Sequence, residues 1–334
     1  MQVSDLGFPH LEEGLAGYRF LVTGGAGFIG SHLVQFLLEN EASLVRVIAN
    51  LSTGNIKNLA HLRRYKQLQF EPSDITNLSH CQSACQDIDI VFHQAALGSV
   101  PRSILYPDAT HAANVTGFIN MLIAAKEAKV KRVVYASSSS VYGNDTHWPK
   151  TEQFTGTPLS PYAATKAMNE MYADIFARTY GMELVGLRYF NVFGPRQDPH
   201  GAYAAVIPLF MKAFISGVSP QINGDGTNSR DFTYIQNVVQ ANMRAAFTRN
   251  PDAINTAYNV AAGLQTSLTE LAQYIQELLK TNIELNYGPN RAGDIPHSLA
   301  DISKAQNLLG YDPKIGIKEG LGLALNWYKQ QLVQ

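Results

Sequence analysis

Residues 19–30 of the chain read RFLVTGGAGFIG, and this stretch predicts the fold. The apolar run Arg19–Thr23 is typical of a short buried strand, and residues 31–40 have the apolar spacing of a helix. The glycines between them let the backbone turn tightly and approach a pyrophosphate, while the helix N-terminus offers free N–H groups and the positive end of its dipole. Strand, glycines and helix in this order predict a dinucleotide-binding unit. The residues expected to contact the dinucleotide here are Gly24, Gly27, Phe28, Ile29 and Gly30.

Further apolar runs alternate with helical patterns along the chain, which is typical of an α/β protein. Such an alternation forms one parallel sheet with right-handed crossovers, so we predict a doubly wound parallel sheet of the Rossmann type. Frequent prolines and glycines in the later part of the chain indicate a smaller, mixed α/β C-terminal lobe. Strands are predicted at 44–49, 68–70, 89–93, 133–137, 184–189 and 257–260, and helices at 114–126, 267–279 and 318–330. The predicted dinucleotide domain covers 18–190 plus approximately 227–262, and the second lobe covers approximately 191–226 and 263–334.

The end of the second predicted strand departs from the usual pattern of NAD-binding proteins. A Rossmann unit that uses NAD usually carries an acid there, which accepts hydrogen bonds from the ribose hydroxyls, whereas this chain has Ala49 followed by Asn50. The loss of one charge-assisted hydrogen bond costs about 1.5–3 kcal/mol. NADP would favour an arginine near this turn, but Arg46 lies within the strand and Lys57 lies well beyond it. We therefore predict NAD as the cofactor, with Asn50 and Ser52 as the ribose contacts.

Small and polar residues follow three of the later strands. Asp74 follows the third strand, where its carboxylate could accept from an adenine amino group, and residues 94–99 (QAALGS) follow the fourth, where small side chains leave room for a cofactor. Serines 137–140 stand at and after the end of the fifth. Ligands bind outside the carboxyl ends of parallel strands, so these residues should share one rim with the glycines. The further predicted cofactor contacts are Asp74, Ile75, Gln94, Ala95, Ala96, Asn114, Ser137, Tyr189 and Val192.

Ser160–Lys166 (SPYAATK) places a phenol and an ammonium four residues apart. Pro161 is tolerated in the first turn of a helix, and positions i and i+4 lie on one helical face, so Tyr162 and Lys166 should project into the same space. A free tyrosine has a pKa near ~10, and a neighbouring cation lowers it. We therefore expect Tyr162 to exchange a proton with an alcohol near neutral pH. Because such a pair also occurs on ordinary helix surfaces, the other segments decide between the two interpretations.

Composition and charge argue against several classes of protein. The 334-residue chain has a net charge of -1 and no basic run, which argues against nucleic acid or an anionic membrane surface as a partner. No apolar stretch approaches the ~20 residues that span a bilayer, and residues 1–17 lack the cationic start of a signal peptide, so we expect a cytoplasmic protein. Cys81 and Cys85 lack a metal-ligand pattern and are expected to be reduced thiols. We predict no metal site.

Seven segments together resemble the extended short-chain dehydrogenase/reductase family over nearly the whole chain. Within that family the chain is similar to the nucleotide-sugar 4-epimerases, above all to the bacterial UDP-N-acetylglucosamine 4-epimerases. Ala49 is the main departure from the pattern. The matching segments, in the expected order, are 24–30, 94–103 (QAALGSVPRS), 137–143, 160–166, 187–207 (LRYFNVFGPRQDPHGAYAAVI), 222–234 (INGDGTNSRDFTY) and 291–301 (RAGDIPHSLAD).

The resemblance implies a role for each matching residue. Tyr162 would be the catalytic base, Lys166 its electrostatic partner and a ligand of the nicotinamide ribose, and Ser138 the third member of the catalytic triad. In the second lobe, arginine forks would suit the phosphates of a UDP-sugar, since guanidinium groups bind phosphates bidentately. The residues implied to hold the UDP-sugar are Gly98, Ser99, Ser103, Ser138, Ser139, Tyr162, Asn191, Gln197, Ala205, Val206, Asn223, Arg230, Arg291, Asp294 and Ser298.

The implied reaction is a transient oxidation of the sugar at C4. Tyr162 would accept the proton of the 4-hydroxyl while C4 gives a hydride to the nicotinamide, and both would return after the 4-keto sugar turns over in the site. The related 4,6-dehydratases carry an Asp-Glu pair beside the triad serine, where this chain has Ser139 and Ser140. A small residue at Ser298 is implied to admit an N-acetyl group, with Ser139 and Gln197 as hydrogen-bond partners of the acetamido group.

Three hypotheses about function stay open at the sequence level. The first is a UDP-N-acetylglucosamine/UDP-N-acetylgalactosamine 4-epimerase with tightly bound NAD, serving cell-surface polysaccharide synthesis. The second is a 4-epimerase of another UDP-sugar, such as UDP-glucose or a UDP-uronate. The third, suggested by Ala49, is a non-catalytic protein that senses NAD(P), although such proteins usually lose the tyrosine or the lysine. The resemblance also implies a homodimer, in which the helices around Asn114 and Tyr162 pair with their copies.

Overall fold

The centre of the fold is a sheet of seven parallel strands, in the order β11-β6-β5-β4-β1-β2-β3. The protein is described by a computed structural model, which defines residues 1–8, 11, 14–199, 204–289 and 296–332. The chain starts in the middle of the sheet, runs outward to β3 and then returns to the other side of β1. The strands of the sheet are β1 (Arg19–Thr23), β2 (Leu44–Ile48), β3 (Leu68–Glu71), β4 (Ile90–His93), β5 (Arg132–Ser138), β6 (Leu184–Tyr189) and β11 (Thr256–Val260).

Helices cover both faces of this sheet and bury its apolar side chains. One core cluster joins β1 and β2 to helices α1, α7, α8, α9 and α11, and a second joins the opposite face to α2, α5 and α6. This confirms the predicted doubly wound α/β architecture. The helices are α1 (Phe28–Glu39), α2 (Leu78–Cys85), α3 (Val100–Leu105), α4 (Pro107–His111), α5 (Gly117–Glu127), α6 (Pro161–Tyr180), α7 (Val206–Ile215), α8 (Ile235–Phe247), α9 (Leu268–Leu279), α10 (Ser303–Leu309) and α11 (Ile317–Leu332).

Three pairs of short strands organise the segments outside the main sheet. One pair, β7 and β10, is parallel, β9 and β12 are antiparallel, and β8 and β13 are parallel. Single bridges also join Lys150 to Ala300 and Ser229 to His297. The pairs are β7 (Val192–Phe193) with β10 (Thr233–Tyr234), β9 (Ser229–Arg230) with β12 (Thr266–Ser267), and β8 (Gln221–Asn223) with β13 (Asn286–Gly288).

The structure differs from the sequence prediction most at residues 107–127. The apolar spacing predicts one helix from residue 114, whereas the chain forms α4, a π-helical turn at 112–116 and then α5. A Cβ at Gly117, the first residue of α5, would lie 2.6 Å from the Ile75 side chain, so the helix closely approaches the loop after β3 at this glycine.

The structure bears on three expectations from composition: the state of the cysteines, a membrane span and a metal site. Cys81 and Cys85 lie buried on α2 and form no disulfide, as expected for reduced thiols. Burial raises the pKa of both thiols to about 12, so neither is a reactive thiolate at neutral pH. Within the described ranges, no helix combines the length and apolar character that a membrane span requires, and no group of acidic, histidine and cysteine side chains forms a metal cluster.

Candidate active site

The glycine loop between β1 and α1 lies at the point where the order of the sheet reverses. Gly24 has a φ of +65°, and a Cβ there would lie 2.9 Å from the backbone of Ala95, which follows β4. A Cβ at Gly30 would clash with the carbonyl oxygen of Gly24. Gly27 is the N-cap of α1 and has no side chain to satisfy the first N–H groups of the helix. The loop therefore keeps its backbone open to an anion, and it fits the pyrophosphate of the predicted NAD.

A carboxylate does lie beside the end of β2, but it comes from Asp74, in the loop that follows the neighbouring strand β3. Asn50 donates from Nδ2 to Asp74 Oδ2 at 2.8 Å, and its own Oδ1 accepts from the Ser52 backbone at 3.0 Å. Burial would raise the pKa of Asp74, but hydrogen bonds from Thr76 and Asn50 lower it overall, so Asp74 is ionised. Asp74 thus places a negative charge near the position where Ala49 provides none. That charge disfavours the additional phosphate of NADP.

A largely buried polar cluster joins β4, β6 and α8. The Gln94 Oε1 atom accepts from the Tyr189 hydroxyl at 3.1 Å, and Gln94 Nε2 donates to Asn242 Oδ1 at 3.2 Å. Asn242 Nδ2 in turn donates to the Tyr189 oxygen at 2.9 Å. Asn242 escaped the sequence analysis because it stands on an otherwise apolar helical face. The signal that the sequence offers is a polar asparagine among the apolar positions of this helix, which indicates a buried hydrogen-bond partner.

Helix α6 begins where the Ser-Pro-Tyr sequence predicts. Ser160 is its N-cap and accepts from the Ala163 backbone N–H at 3.1 Å, and Pro161 occupies the first turn. Tyr162 is half-buried and Lys166 is fully buried, one turn further on. Lys166 Nζ donates to the carbonyl oxygen of Ala136 at 2.8 Å. The first turns of α6 therefore lie against the carboxyl end of β5, where Ser138 stands.

The predicted triad residues come together at this contact. The Ser138 hydroxyl lies close enough to the Tyr162 hydroxyl to lower the pKa of the phenol. The Ser138 oxygen also accepts from the Ser140 backbone at 3.1 Å, which fixes the serine at the start of a short 3-10 turn, Ser139–Tyr142. Their catalytic roles stay predictions. The contact nevertheless gives a serine, a phenol and an ammonium in one place, which is the set that proton transfer to or from an alcohol requires.

The expectation that Lys166 lowers the pKa of Tyr162 was wrong for the protein without a bound ligand. Burial raises the pKa of Tyr162 above its usual value, and the nearby Ser138 hydroxyl opposes that rise in part. The lysine does not lower it here, because Lys166 donates to Ala136 and burial lowers the pKa of Lys166 itself to about 8. Tyr162 is therefore a protonated phenol at neutral pH, and a further positive charge is needed to make it a base.

Several predicted cofactor residues use their side chains within the protein. The Asn114 amide accepts from the Leu97 backbone at 2.8 Å and donates to Thr165 Oγ1 at 3.1 Å. Ser137 donates from its hydroxyl to Glu170 Oε1 at 2.5 Å. Their roles toward NAD stay predictions, since these contacts engage the polar atoms inside the chain. Ile75 is buried in the turn after β3, Val192 begins β7, and Ala95 and Ala96 continue the loop after β4.

The predicted sugar-side residues fall into three groups. Asn191 and Gln197 follow β6, and each donates from its amide to a backbone carbonyl, of Asp231 at 3.0 Å and of Val192 at 2.9 Å. Arg230 donates to the carbonyls of Ser229 at 2.9 Å and Pro296 at 3.2 Å, so it lies beside the segment that carries Ser298. Arg291 and Asp294 lie outside the described residues.

The remaining sugar-side predictions are more scattered. Ser99 caps α3 by accepting from the Arg102 backbone at 3.2 Å, with Gly98 exposed beside it. Ser103 is fully buried, and its hydroxyl donates to the Val100 carbonyl at 2.7 Å, which leaves its oxygen little access to a sugar. Ala205 and Val206 stand at the start of α7, and Asn223 ends β8. The structure brings none of these last three into hydrogen-bond contact with the triad.

Known proteins resemble this chain over almost all of its length. A "Putative UDP-glucose 4-epimerase" of Methanocaldococcus jannaschii is 37% identical over 92% of this chain and 98% of its own. The solved structure of a UDP-N-acetylglucosamine 4-epimerase from Methanobrevibacter ruminantium, in complex with UDP-N-acetylmuramic acid, is 39% identical, with a TM-score of 0.89 over 94% of this chain and 99% of that one. A UDP-glucuronic acid 4-epimerase from Bacillus cereus, solved with UDP-glucuronic acid and NAD, is 32% identical, with a TM-score of 0.86 over 94% and 99%.

A family model supports the same assignment and the predicted cofactor. The model described as the NAD dependent epimerase/dehydratase family matches residues 20–261, from the first strand of the sheet to the end of its last strand. NAD is thus confirmed as the cofactor. With the glycine cradle, the Asp74 carboxylate and the triad contact, these likenesses show that the chain belongs to the NAD dependent epimerase/dehydratase family.

Proposed function

We propose that the protein interconverts UDP-N-acetylglucosamine and UDP-N-acetylgalactosamine, as a 4-epimerase with tightly bound NAD. The named relatives are 4-epimerases of UDP-glucose, UDP-N-acetylglucosamine and UDP-glucuronic acid, which supports epimerisation at C4 of a UDP-sugar. The absence of an acid pair at Ser139 and Ser140 speaks against a 4,6-dehydratase, because that elimination needs its own acid and base. The choice among UDP-sugars depends on the pocket around the sugar.

The chain's own residues would handle the proton and hold the substrate. Bound NAD would supply the acceptor, and later the donor, of a hydride at the sugar C4. Tyr162 would take the proton of the 4-hydroxyl, and the Ser138 hydroxyl would orient that hydroxyl group. Lys166 would stabilise the phenolate form of Tyr162 when a cationic ring lies beside it. Because the keto sugar must turn over without leaving, Arg230 and Asn191 would keep the UDP part fixed.

The observation that carries the choice of sugar is an unsatisfied acceptor at Gln197. Its Nε2 donates to the Val192 carbonyl at 2.9 Å, which fixes the amide, while Oε1 is buried and has no hydrogen-bond partner among the residues that the structure describes. A buried acceptor without a partner costs about 1–3 kcal/mol, so a ligand donor is expected to satisfy it. The N–H of an acetamido group at C2 would be such a donor. Ser298 supplies the small side chain that leaves space for the acetyl group.

The direct test is an epimerisation assay without added cofactor. Purified protein incubated with UDP-N-acetylglucosamine should give a mixture with UDP-N-acetylgalactosamine, resolved by anomeric proton NMR. The denatured protein should release NAD, identified by mass. Equal or greater kcat/KM for UDP-glucose or UDP-glucuronic acid would favour the second hypothesis. Bound NAD without turnover of any of these sugars would favour a non-catalytic sensor.

We also propose a homodimer, formed through an apolar stripe on α6. The stripe consists of side chains at helical spacing with large exposed fractions, although α6 packs its other face on the sheet. Exposed apolar side chains on α3 continue the same surface, since α3 contacts α6. Contiguous exposed apolar surface of this kind usually marks an interface. The α6 residues are Met168 (40%), Met171 (68%), Tyr172 (39%) and Ile175 (48%), and those on and after α3 are Val100, Ile104, Leu105 and Tyr106.

The Met171→Asp/Ile175→Asp double variant should convert the dimer to a monomer. Two carboxylates on the stripe would have to be desolvated at the interface, which costs several kcal/mol. Light scattering at micromolar concentration would give the mass of each form. Leu323→Asp is the matched control, because Leu323 is 50% exposed on α11, away from the stripe. A wild-type chain that is monomeric at micromolar concentration would contradict the proposal.

A further inference from the structure

We propose that Glu170 is a positioning residue of the reaction, which ties the end of β5 to α6 and supplies a negative charge one helical turn from the Lys166 ammonium. Nothing in the sequence pattern of the triad requires this acid. The inference rests on the proposed function, since it concerns how the same site keeps its ammonium group. It follows from the contacts of Glu170, the charges that surround Lys166, and the position of both on α6.

Glu170 joins three elements directly behind the triad. It stands one helical turn after Lys166, so the two side chains share a face of α6. Its Oε1 accepts from the Ser137 hydroxyl at 2.5 Å and from Arg188 Nε at 2.9 Å, and its Oε2 accepts from Arg188 Nη2 at 2.8 Å. Ser137 immediately precedes Ser138 on β5, and Arg188 lies on β6. The carboxylate therefore ties the strand that carries Ser138 to the helix that carries Tyr162 and Lys166.

Among the described groups around Lys166, the negative charge comes from Glu170. On α6, Glu170 lies one turn after Lys166 and Tyr162 one turn before it. From the sheet, His93 on β4 interacts with Lys166, and Arg188 on β6 is paired with Glu170. Tyr162 is a neutral phenol in the free protein, and burial lowers the pKa of His93 to about 3, so the imidazole is neutral too. Among the described residues, Glu170 is thus the negative charge that opposes the desolvation of Lys166.

The sign of the effect follows from these charges. Burial lowers the pKa of Lys166 to about 8, and the Glu170 carboxylate acts in the opposite direction. Without that carboxylate the ammonium would lose its proton at a lower pH, and the unbalanced Arg188 guanidinium would lower it further. A neutral lysine could not stabilise the phenolate of Tyr162. As pH rises, kcat should then fall at a lower pH than in the wild type.

A purely structural role for Glu170 makes a different prediction. The ion pair with Arg188 is nearly buried, and such a pair is weak evidence for stability by itself. If Glu170 only held α6 on the sheet, its replacement would lower the thermal midpoint or kcat at every pH alike. The informative measurement is therefore the pH at which Lys166 titrates, since a loss of packing alone would not move it in a set direction.

The experiment compares Glu170→Gln with the wild-type holoenzyme. The Lys166 ammonium would be followed by the 13Cε chemical shift of labelled lysine, assigned by comparison with Lys166→Arg, and kcat would be measured from pH 6 to 9 with whichever UDP-sugar the wild type turns over. We expect the Lys166 titration and the alkaline limb of kcat to move down by about one pH unit. With a limb near pH 8, kcat should fall roughly fivefold at pH 8 and change little at pH 6.

Tyr142→Phe is the matched control. The Tyr142 hydroxyl accepts from Arg188 Nη1 at 3.0 Å and donates to Asn259 Oδ1 at 2.6 Å, so its loss disturbs the same network but leaves the Glu170 charge in place. This variant should leave the Lys166 titration where it is. If Glu170→Gln does not fold, the Glu170→Gln/Arg188→Met variant removes both charges and should still lower the Lys166 titration. A Lys166 titration that stays put or rises in the folded Glu170 variants would overturn the proposal. The NMR titration needs no substrate, so it stands even if the sugar assignment fails.

Discussion

Tyr162→Phe should lower kcat for epimerisation by roughly 10³-fold, the middle of the range for loss of a general acid–base group. The phenylalanine keeps the ring at the start of α6 but removes the hydroxyl that this helix brings beside Ser138. No other described group takes its place, because Lys166 donates to the Ala136 carbonyl, 2.8 Å away, and the pKa of His93 is too low for proton exchange at neutral pH. Stopped assays of UDP-sugar conversion over hours would measure the remaining rate.

The control for this variant is its NAD content. The glycine cradle, Asn50 and Asp74 lie on other elements, so Tyr162→Phe should retain NAD and keep its thermal midpoint close to the wild type. Ser138→Ala should lower kcat less than Tyr162→Phe does, since it removes a hydrogen-bond partner but leaves the Tyr162 hydroxyl that carries the proton. A Tyr162→Phe protein with more than a tenth of wild-type kcat would remove the tyrosine from the mechanism. One that has lost its NAD would leave the roles of ring and hydroxyl mixed, and Ser138→Ala would then decide between them.

The parts of the site that could be predicted from the sequence are those built from neighbouring residues. The strand, glycines and helix at 19–30 form a continuous unit, and β1 and β6 have the bounds that their apolar runs predict. Helix α6 also starts where Ser160 and Pro161 predict, so the i and i+4 placement of Tyr162 and Lys166 followed from local rules. Local periodicity and capping are enough for such elements.

The parts that could not be predicted depend on contacts between distant residues. Asp74, after β3, supplies the charge missing at Ala49, and it accepts a hydrogen bond from Asn50, after β2. Asn242 reaches Gln94 across 148 positions, and the two have no shared pattern in the sequence. The predicted pKa of Tyr162 was wrong for a related reason. The spacing gave the position of Lys166 on the helix, but the burial of both groups and the contact of Lys166 with the Ala136 carbonyl determine the pKa of the phenol. Burial depends on the whole packed fold, which no single segment encodes.

Ser298→Tyr should switch the enzyme away from N-acetylated sugars. Ser298 is half-buried, and its backbone N–H donates to the Ser229 carbonyl at 3.0 Å. Its segment is also fixed at Ala300, by the bridge to Lys150 and by a hydrogen bond to Asp231 Oδ2 at 3.3 Å. Because the segment is held on both sides, a phenol ring at this position would fill the space beside the sugar and could not swing away with the backbone. Overpacking of about 1–3 kcal/mol corresponds to a loss of roughly 10- to 200-fold in kcat/KM for UDP-N-acetylglucosamine.

The competing substrate makes this prediction specific to the acetyl group. kcat/KM for UDP-glucose should stay within about threefold of the wild-type value in Ser298→Tyr, because a hydroxyl at C2 needs none of the space that the ring takes. Ser298→Ala is the matched control: it removes the hydroxyl, keeps the space, and should retain turnover of UDP-N-acetylglucosamine. Gln197→Leu tests the proposed hydrogen bond to the acetamido group, because it removes the buried Oε1 acceptor. It should lower kcat/KM only for the N-acetylated sugar. If Ser298→Tyr lowers kcat/KM equally for both sugars, the side chain disturbs the site as a whole, and the acetyl group must be accommodated elsewhere.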